Sequence, residues 1–356
     1  MDEREQLLKE LTEAAGVPGY EEEVRAVLRR YLEGTAGIAQ DGLGSFVARL
    51  PGPPDSPRVM LAGHMDEVGF LVRQIGDEGC LRFLPLGGWW DQVVLGQRME
   101  VITRQGHVIG VTGAKPPHLL DEGERSKMLP KKEMYLDVGA SSREEVEALG
   151  IRLGDPIVPV SPFTQMGRPQ SYLGKAFDDR IGCALMVESL LHMAKEEHPN
   201  ALYGVGTVQE EIGLRGAKTS AHLVEPDVAL ILEVDIAGDV PGIKPEECTT
   251  RLGKGPALLL YDARMIPNLR LRDLVIQTAE AEGIPLQFSA MTGGATDGAM
   301  IHMHAAGVPC AVLGVPARHV HSHAGIIRRD DYDLALRLVL ALIRKLDREM
   351  VASLTR

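Results

Sequence analysis

The chain has 356 residues, of which 44% are hydrophobic and 25% are charged, a composition typical of a soluble globular protein with a large core. Its formal net charge of −12, from 38 basic and 50 acidic side chains, argues against a nucleic acid or an anionic membrane as partner. No apolar run approaches the ~20 residues that span a bilayer, and the amino-terminal residues lack the pattern of a signal peptide. The 4 cysteines are widely spaced without a C-x-x-C pair, which predicts reduced thiols in a cytoplasmic protein.

Two amphipathic helices are predicted over residues 2–15 and 20–33, because apolar residues recur there at helical spacing. A buried strand near 58–63 follows, and the loop after it presents His64 and Asp66. A histidine ring can bind Zn²⁺ through one nitrogen, while a carboxylate two residues further on orients the ring. A purely structural histidine at a strand end is the alternative.

The segment from residue 69 to residue 163 differs from its flanks, since short β-rich runs alternate there with glycine and proline turns. We predict that 69–163 is a small β-barrel-like domain inserted into a discontinuous catalytic domain made of residues 1–68 and 164–356. Strands alternate with helices in the larger domain, which predicts an α/β class. A long amphipathic helix over 330–354 is predicted to close the chain.

Adjacent acidic residues occur at two points of the catalytic domain. Asp178 and Asp179 open a helix predicted to run to about residue 196, where aspartates usually cap a helix or favour its dipole. Glu210 and Glu211 follow a buried strand, and a solvated strand end is the ordinary interpretation of such a pair. The sharper hypothesis is that Asp178 bridges two metal ions, that one glutamate binds a metal, and that the other is a general base.

Acidic side chains also end the strand predicted over 227–235. Glu233 and Asp235 lie on the same face of that strand, so the pattern does not choose between them. Ligands of open α/β sheets gather at the carboxyl ends of the strands. The glycine-rich stretch 292–298, which contains Gly294, suits close approach of the backbone to a ligand.

Three alternating histidines, His319, His321 and His323, follow the strand predicted over 309–315, and Arg318 precedes them. Three histidines in such a short stretch cannot all be core residues, so metal or substrate contact is favoured.

Imidazole and carboxylate side chains thus arrive from five separate strand or helix ends, as a site at one edge of a doubly wound sheet requires. This donor set, free of thiolates, predicts a dinuclear site for Zn²⁺, with Co²⁺ or Mn²⁺ as alternatives. Its members are His64, one of the two aspartates at 178 and 179, the Glu210-Glu211 pair, one of the acids at 233 and 235, and one of the three histidines after residue 318.

The chain resembles the tetrahedral (TET-type) metal aminopeptidases, also described as glutamyl or deblocking aminopeptidases, some of which carry an endoglucanase-M label. The resemblance covers essentially the whole chain. It rests on motifs that occur in the family's order, namely G-V-P-G-Y-E, G-H-M-D-E-V-G, A-F-D-D-R-I-G, Q-E-E-I-G-L-R-G, G-G-A-T-D-G and H-V-H-S. It implies a three-layer αβα peptidase domain with a mixed sheet, of the phosphorylase/hydrolase-like zinc-exopeptidase kind, plus an inserted β-barrel domain.

The resemblance also implies a role for each site residue. Asp178 is implied to bridge the two ions, Glu210 to be the general base, and Asp66 to orient the ring of His64. A cis peptide bond is implied between Asp178 and Asp179. The side chains implied to bind the two divalent ions are His64, Asp178, Glu211, Glu233 and His321.

At the fifth ligand position the family commonly has aspartate. The motif Ala237-Gly238-Asp239-Val240-Pro241 fixes the register and places Glu233 there, with the acid two residues further on as the alternative. Arg318, His319 and Gly294 are predicted to contact the substrate. The preferred amino-terminal residue of that substrate is not readable from the sequence.

The reaction implied by the resemblance is the removal of amino-terminal residues from peptides. A bridging water is activated by the ions, Glu210 takes its proton, and the ions anchor the substrate's free α-amine. The inserted domain is implied to mediate dimer contacts, and the dimers to form a hollow dodecamer that admits peptides and unfolded tails.

Three other functions compete with this one. A deacylase or carboxypeptidase would use the same dinuclear site on different substrates. A glycosidase would use Glu210 and Glu211 as its acid/base pair, but that chemistry needs carboxyls ~5–10 Å apart, and an aromatic content of 4% offers few surfaces for sugar stacking. A metal-binding scaffold without catalysis would need no base beside the ligands.

Overall fold

The computed structural model describes residues 1–355, except for the side chain at position 124. The strands of this part are β1 (Gly37–Gln40), β2 (Phe46–Leu50), β3 (Arg58–His64), β4 (Gly69–Ile75), β5 (Cys80–Leu86), β6 (Arg98–Thr103), β7 (Gly106–Gly113), β8 (Tyr135–Asp137), β9 (Pro156–Pro159), β10 (Thr164–Gln165), β11 (Ser171–Gly174), β12 (Ala201–Thr207), β13 (Val228–Ile236), β14 (Ala257–Leu259), β15 (Gln287–Ser289), β16 (Cys310–Arg318) and β17 (Gly325–Arg328). The α-helices are α1 (Glu3–Glu13), α2 (Glu22–Leu32), α3 (Glu122–Arg125), α4 (Arg143–Ala148), α5 (Phe177–Met193), α6 (Arg215–Val224), α7 (Leu269–Ala281), α8 (Gly298–Ile301), α9 (Arg329–Lys345) and α10 (Arg348–Ser353).

A mixed sheet of 11 strands forms the larger part of the molecule, in the order β1-β2-β12-β3-β13-β16-β17-β11-β10, with β14 paired to β15 and β16. Strands β12, β3, β13 and β16 are parallel neighbours, so their carboxyl ends lie at one edge. Side chains alternate along β3: Val59 and Leu61 join one core, with α1, α2, α5, α7 and α9, whereas Met60 and Ala62 join another, with α6 and α8. The predicted three-layer α/β architecture is confirmed.

Close packing of α5 against β3 brings the start of that helix to the carboxyl edge of the sheet. A Cβ added to Gly63 in β3 would lie 2.6 Å from the carbonyl carbon of Gly182 in α5. A Cβ added to Gly182 would lie 2.1 Å from the carbonyl oxygen of Leu232 in β13. Only glycine permits this approach at both positions, so these two glycines set the short distance between α5 and the strands.

The remaining strands form a closed antiparallel barrel in the order β4-β5-β8-β7-β6-β9. Its core contains a T-shaped contact between Phe70 and Phe83 and a stacked contact between Phe70 and Trp89. The barrel confirms the β-rich fold expected for the inserted segment, and its strands lie within 69–163. The boundaries of the two domains stay a prediction.

The carboxyl-terminal region differs from the single helix predicted over 330–354. Helix α9 ends at Lys345 because Leu346 has a non-helical backbone, with φ −84° and ψ 64°. The side chain of Asp347 then accepts a hydrogen bond from the amide of Met350 and begins α10. Within residues 1–355, none of the helices combines the length and apolarity that crossing a membrane requires.

Candidate active site

Parallel strands and one helix deliver the predicted site residues to the same edge of the sheet. His64 ends β3 and pairs in register with Thr207, the last residue of β12, which the two adjacent glutamates follow. Glu233 lies near the end of β13, Asp178 lies in the first turn of α5, and His321 follows β16. The convergence expected of carboxyl ends in a parallel arrangement is therefore present.

Two groups of donor atoms meet at His64. Its Nε2 lies 3.0 Å from Oδ1 of Asp178, and 3.9 Å from both Oε2 of Glu210 and Oε1 of Glu233. The donors of His64, Asp178 and Glu211 lie within 4.8 Å of one another, and so do those of His64, Glu210 and Glu233. The two groups share one imidazole.

Asp178 also reaches a second imidazole. Its Oδ2 lies 3.4 Å from Nε2 of His321, which in turn lies 3.3 Å from Oε1 of Glu211. The carboxylate of Asp178 thus has one oxygen directed at His64 and the other at His321, the placement that a bridging carboxylate needs.

Main-chain carbonyl groups orient both rings. Nδ1 of His64 lies 2.9 Å from the carbonyl oxygen of Asp66, and Nδ1 of His321 lies 3.0 Å from that of Gly88. A carbonyl only accepts, so each Nδ1 carries the proton and each Nε2 is left as a donor to a metal. Gly88 belongs to the barrel segment, where the sequence indicated no site residue.

The carboxylate of Asp66 has a different partner from the one expected. It accepts the backbone amides of Glu210 at 2.9 Å and of Glu211 at 3.0 Å, whereas its Oδ1 stays 3.7 Å from the ring of His64. Asp66 therefore fixes the backbone that carries the two glutamates, and its own carbonyl holds the ring.

Asp179 holds the backbone at the end of β3 close to the start of α5. Its carboxylate accepts the backbone amides of His64 at 3.0 Å and of Gly182 at 2.9 Å. The peptide bond between Asp178 and Asp179 is cis, which confirms that expectation.

Burial and neighbouring charges separate the ionisation of the acidic groups. Burial raises the pKa of Glu210 well above its usual value, a shift that His64 opposes and Asp297 reinforces. Burial also acts to raise the pKa of Asp178, but its contacts with the imidazoles of His321 and His64 outweigh burial and lower that pKa. Burial raises the pKa of Glu233 in the same direction, so the raised pKa of Glu210 reflects its burial and does not distinguish a base from a ligand, whereas the lowered pKa keeps Asp178 ionised.

Asp297, in the G-G-A-T-D-G motif, was not singled out from the sequence. It is buried and accepts a hydrogen bond from the hydroxyl of Thr207 at the end of β12. An acid that opens a short helix is ordinary in a sequence, so only its hydrogen bond with Thr207 and its effect on the pKa of Glu210 show its connection with the site.

Glu233 and Asp235, which the pattern left unresolved, have different surroundings. Glu233 is 6% exposed and joins the donor group around His64. Asp235 accepts a hydrogen bond from the hydroxyl of Ser289 in β15, away from that group. The geometry favours Glu233 as the strand-end ligand.

The three predicted substrate contacts lie at two cavities beside the donor groups. Gly294 lines a cavity of about 1100 Å³ that opens from His64 and Asp178. Arg318 and His319 line a smaller one with Asp178, but the guanidinium of Arg318 forms two hydrogen bonds with Asp239, at 2.6 and 2.9 Å. This pairing leaves Arg318 less suited to bind an acidic substrate side chain.

The donor set fits divalent cations. Carboxylates outnumber imidazoles around the two groups, and the buried Oε1 of Glu211 accepts no hydrogen bond. Unpaired charge and unsatisfied oxygens are costly in a buried site, and cations would neutralise both. Carboxylate and imidazole donors without thiolate suit Zn²⁺, Co²⁺ or Mn²⁺.

The donor cluster lies at the carboxyl edge of a mixed α/β sheet that leads into a β-barrel after β3, and the family comparison assigns this arrangement to hydrolases that act on peptides. The chain belongs to the M42 glutamyl aminopeptidase family, whose model matches residues 44–338. Its architecture is that of the TET-type members.

Individual relatives align over nearly their whole length. The TET aminopeptidase of Thaumarchaeota archaeon SCGC AB-539-E09 is 50% identical, with a TM-score of 0.97 over 99% of each chain. The glutamyl aminopeptidase of Lactococcus lactis subsp. cremoris is 36% identical over 98% of each chain. The TET1 peptidase of Pyrococcus horikoshii, described as assembling into a tetrahedron or a large octahedral shell, is 30% identical, with a TM-score of 0.86 over 96% of this chain and 100% of that one.

Proposed function

We propose that the protein is an aminopeptidase that removes amino-terminal residues from peptides with the help of two divalent ions. The observation that carries this proposal is the position of Asp178 between two imidazoles, where two donor groups share His64. The residues proposed to hold the ions are His64, Asp178, Glu211, Glu233 and His321. The family membership supports the peptidase chemistry, and the names of the relatives support its direction from the amino terminus.

The chain's own residues perform the proton transfers. When bound, divalent cations polarise a peptide carbonyl and make water a stronger nucleophile near neutral pH. Glu210 then accepts a proton from the attacking water and returns it to the nitrogen of the leaving amine. Asp66 accepts hydrogen bonds from the backbone amides of both Glu210 and Glu211, so it fixes the short backbone segment that presents the two carboxylates to the site.

The substrate enters the large cavity. Its walls combine apolar side chains such as Leu260, Phe288 and Met291 with the backbone of the Gly293–Gly294 stretch. Extended peptide backbone can approach glycine closely, which suits this stretch to hold the residues around the cleaved bond. We propose that Gly294 contacts the substrate backbone in this way, and that His319 makes a secondary substrate contact at the smaller cavity.

Self-association is proposed for this chain as well. The TET1 relative assembles into a closed shell, and the barrel here exposes apolar side chains, with Trp90 60% exposed, Ile109 55% and Leu119 67%. We propose that the barrel forms dimer contacts and that the dimers build a dodecameric shell. Light scattering coupled to size-exclusion chromatography tests this, and a monodisperse monomer would contradict it. The cytoplasmic location stays a prediction.

The decisive experiment for the activity compares free and N-acylated peptides. Metal-stripped protein is loaded with Zn²⁺, Co²⁺ or Mn²⁺ one at a time and assayed on both kinds of peptide, together with Glu210→Gln. We expect cleavage of free-amine peptides only, and a drop of about 10²- to 10⁴-fold in kcat for Glu210→Gln. Glu246→Gln is the matched control, because Glu246 lines the same cavity without joining either donor group. Activity confined to acylated peptides would instead support the deacylase.

A further inference from the structure

The turn between α1 and α2 reaches the loop that carries the general base. Glu21 lies in this turn and is 2% exposed, an unusual burial for a glutamate. Its Oε1 accepts the backbone amide of Gly19 at 2.7 Å and that of Gln209 at 3.2 Å. Gln209 immediately precedes Glu210, so the contact acts on the backbone next to the base.

Three consecutive amides of this loop donate to carboxylates from other parts of the chain. The amides of Glu210 and Glu211 donate to Asp66, and the amide of Gln209 donates to Glu21. Asp66 follows β3 and Glu21 precedes α2, so two independent segments fix one short loop. Adjacent side chains on an extended backbone point to opposite faces, and holding each amide is how this loop directs both glutamates into one site.

The backbone of Gln209 needs such support. Its φ is +56°, in the left-handed region, which is unfavourable for a residue with a Cβ and persists only where the surroundings impose it. The Asp66 contacts begin one residue later, so among the contacts described here Glu21 is the one that holds the amide of Gln209 itself.

The turn that carries Glu21 is itself fixed on both sides. The amide of Glu67, next to Asp66, donates to the carbonyl of Gly16 at 2.8 Å. The hydroxyl of Tyr20 donates to the carbonyl of Gly154 in the barrel segment at 2.9 Å. Glu21 is therefore presented from a turn anchored to both the strand end and the barrel.

We infer that Glu21 is a positioning residue for catalysis: it holds the left-handed backbone of Gln209 and thereby aims the carboxylate of Glu210. The inference rests on the proposed role of Glu210 as general base. Glu21 does not contact the ions or the substrate in this assignment, so its loss acts on turnover more than on ion or substrate binding.

The test uses substitutions that separate the acceptor from the volume of the side chain. Glu21→Gln keeps an acceptor oxygen, Glu21→Met keeps approximately the volume without an acceptor, and Glu21→Asp withdraws the carboxyl by one methylene. Asp331→Leu is the matched control, because Asp331 is also a buried carboxylate that accepts two backbone amides, those of Gly253 and Gly255, but lines neither cavity of the site. Each metal-loaded variant is measured for kcat, KM, bound ions by elemental analysis, and thermal unfolding.

We expect Glu21→Met to lower kcat by about 10- to 100-fold, as small misplacements of a reacting group do, with KM and the number of bound ions unchanged. Glu21→Gln should restore most of the turnover, since it restores the acceptor. Asp331→Leu should lower the unfolding temperature and leave kcat unchanged. If Glu21→Met does not fold, Glu21→Asp carries the test, with a smaller loss of kcat at an unchanged ion content.

Wild-type kcat in Glu21→Met, or in Glu21→Asp where that variant carries the test, would overturn the inference. It would also be overturned by a loss of kcat that only follows a loss of ions, or by an equal loss in Asp331→Leu. Glu210→Gln, assayed beside these variants, separates the proposed role of Glu210 from the inferred role of Glu21. An active Glu210→Gln refutes the base assignment, and with it the inference; an inactive Glu210→Gln beside a fully active Glu21→Met refutes the role of Glu21 alone.

Discussion

Replacing Gly87 by alanine should disturb Glu211, one of the proposed ligands, from the side of the barrel. Gly87 follows β5 with φ +79°, and a Cβ added there would lie 2.6 Å from Cγ1 of Val68 and 3.1 Å from Oε2 of Glu211. Gly96, in the same barrel, has nearly the same φ of +76°, but nothing lies within 4 Å of an added Cβ. The two glycines therefore differ in contact and not in backbone conformation.

The magnitudes follow from this difference. A left-handed backbone costs about 1–2 kcal/mol for a residue with a Cβ, and both alanine variants carry this term. Gly87→Ala adds overpacking against Val68 and Glu211, which costs about 1–3 kcal/mol. Gly96→Ala should therefore lose about 1–2 kcal/mol of stability and keep its activity, whereas Gly87→Ala should lose about 2–5 kcal/mol together with ion binding.

The assay is denaturant unfolding of both variants, with kcat and bound ions measured on the folded, metal-loaded proteins. We expect the difference between the two variants to appear mainly in ion content and kcat, because only the alanine at position 87 would press on Val68 and Glu211. Equal kcat and equal ion content in the two variants would refute the contact between the barrel loop and the ligand.

Three further predictions follow. Glu233→Gln should lose bound ions whereas Asp235→Asn should keep them, because only Glu233 joins a donor group. Elemental analysis of the two variants measures the bound ions, and a loss of ions confined to Asp235→Asn would reverse the assignment. Burial, with the charge of Asp66 adding to it, raises the pKa of Glu21 to about 7 from its ordinary value of 4.5. The folded protein therefore binds the proton of Glu21 more tightly than the unfolded chain does. The free energy of unfolding of the wild type, relative to that of Glu21→Gln, should be greatest below pH 4.5 and fall as the pH rises through 7. Denaturation at several pH values would contradict this if the difference in free energy between the two proteins stayed constant. Gly182→Ala should lower both the unfolding temperature and kcat, because a Cβ 2.1 Å from the carbonyl of Leu232 would push α5 off the sheet, and an unchanged unfolding temperature would refute the close packing.

The placement of the site at one edge was predictable because it depends on the ends of regular elements. His64, Glu211 and Glu233 follow or end apolar strands, and Asp178 opens a helix, so the sheet itself brings them together. The strand before His321 was predicted to end at residue 315 but extends to Arg318, which places the histidines in a tight turn where His319 and His321 both have positive φ.

Other features were not predictable because they depend on contacts between distant segments. The different surroundings of Glu233 and Asp235 depend on Ser289, which β15 brings beside Asp235 but which carries no sequence signal of that contact. The alternation along one strand cannot separate two acids on the same face. Glu21 likewise lies in the G-V-P-G-Y-E motif, but its contact with Gln209 was not predictable because the two residues are 188 positions apart in the sequence.

The barrel contributes to the site as well as to any assembly. The carbonyl of Gly88 accepts a hydrogen bond from Nδ1 of His321, and the adjacent Gly87 leaves room for Glu211, so one barrel loop positions two of the proposed ligands. The stacked contact of Trp89 with Phe70 anchors that loop in the barrel core. Because the loop is held by the barrel and the ligands are held by the sheet, the geometry of the donor groups depends on how the two parts pack. A contact between barrels would therefore act on a structure that touches the proposed ligands, which would give self-association a direct physical route to the site.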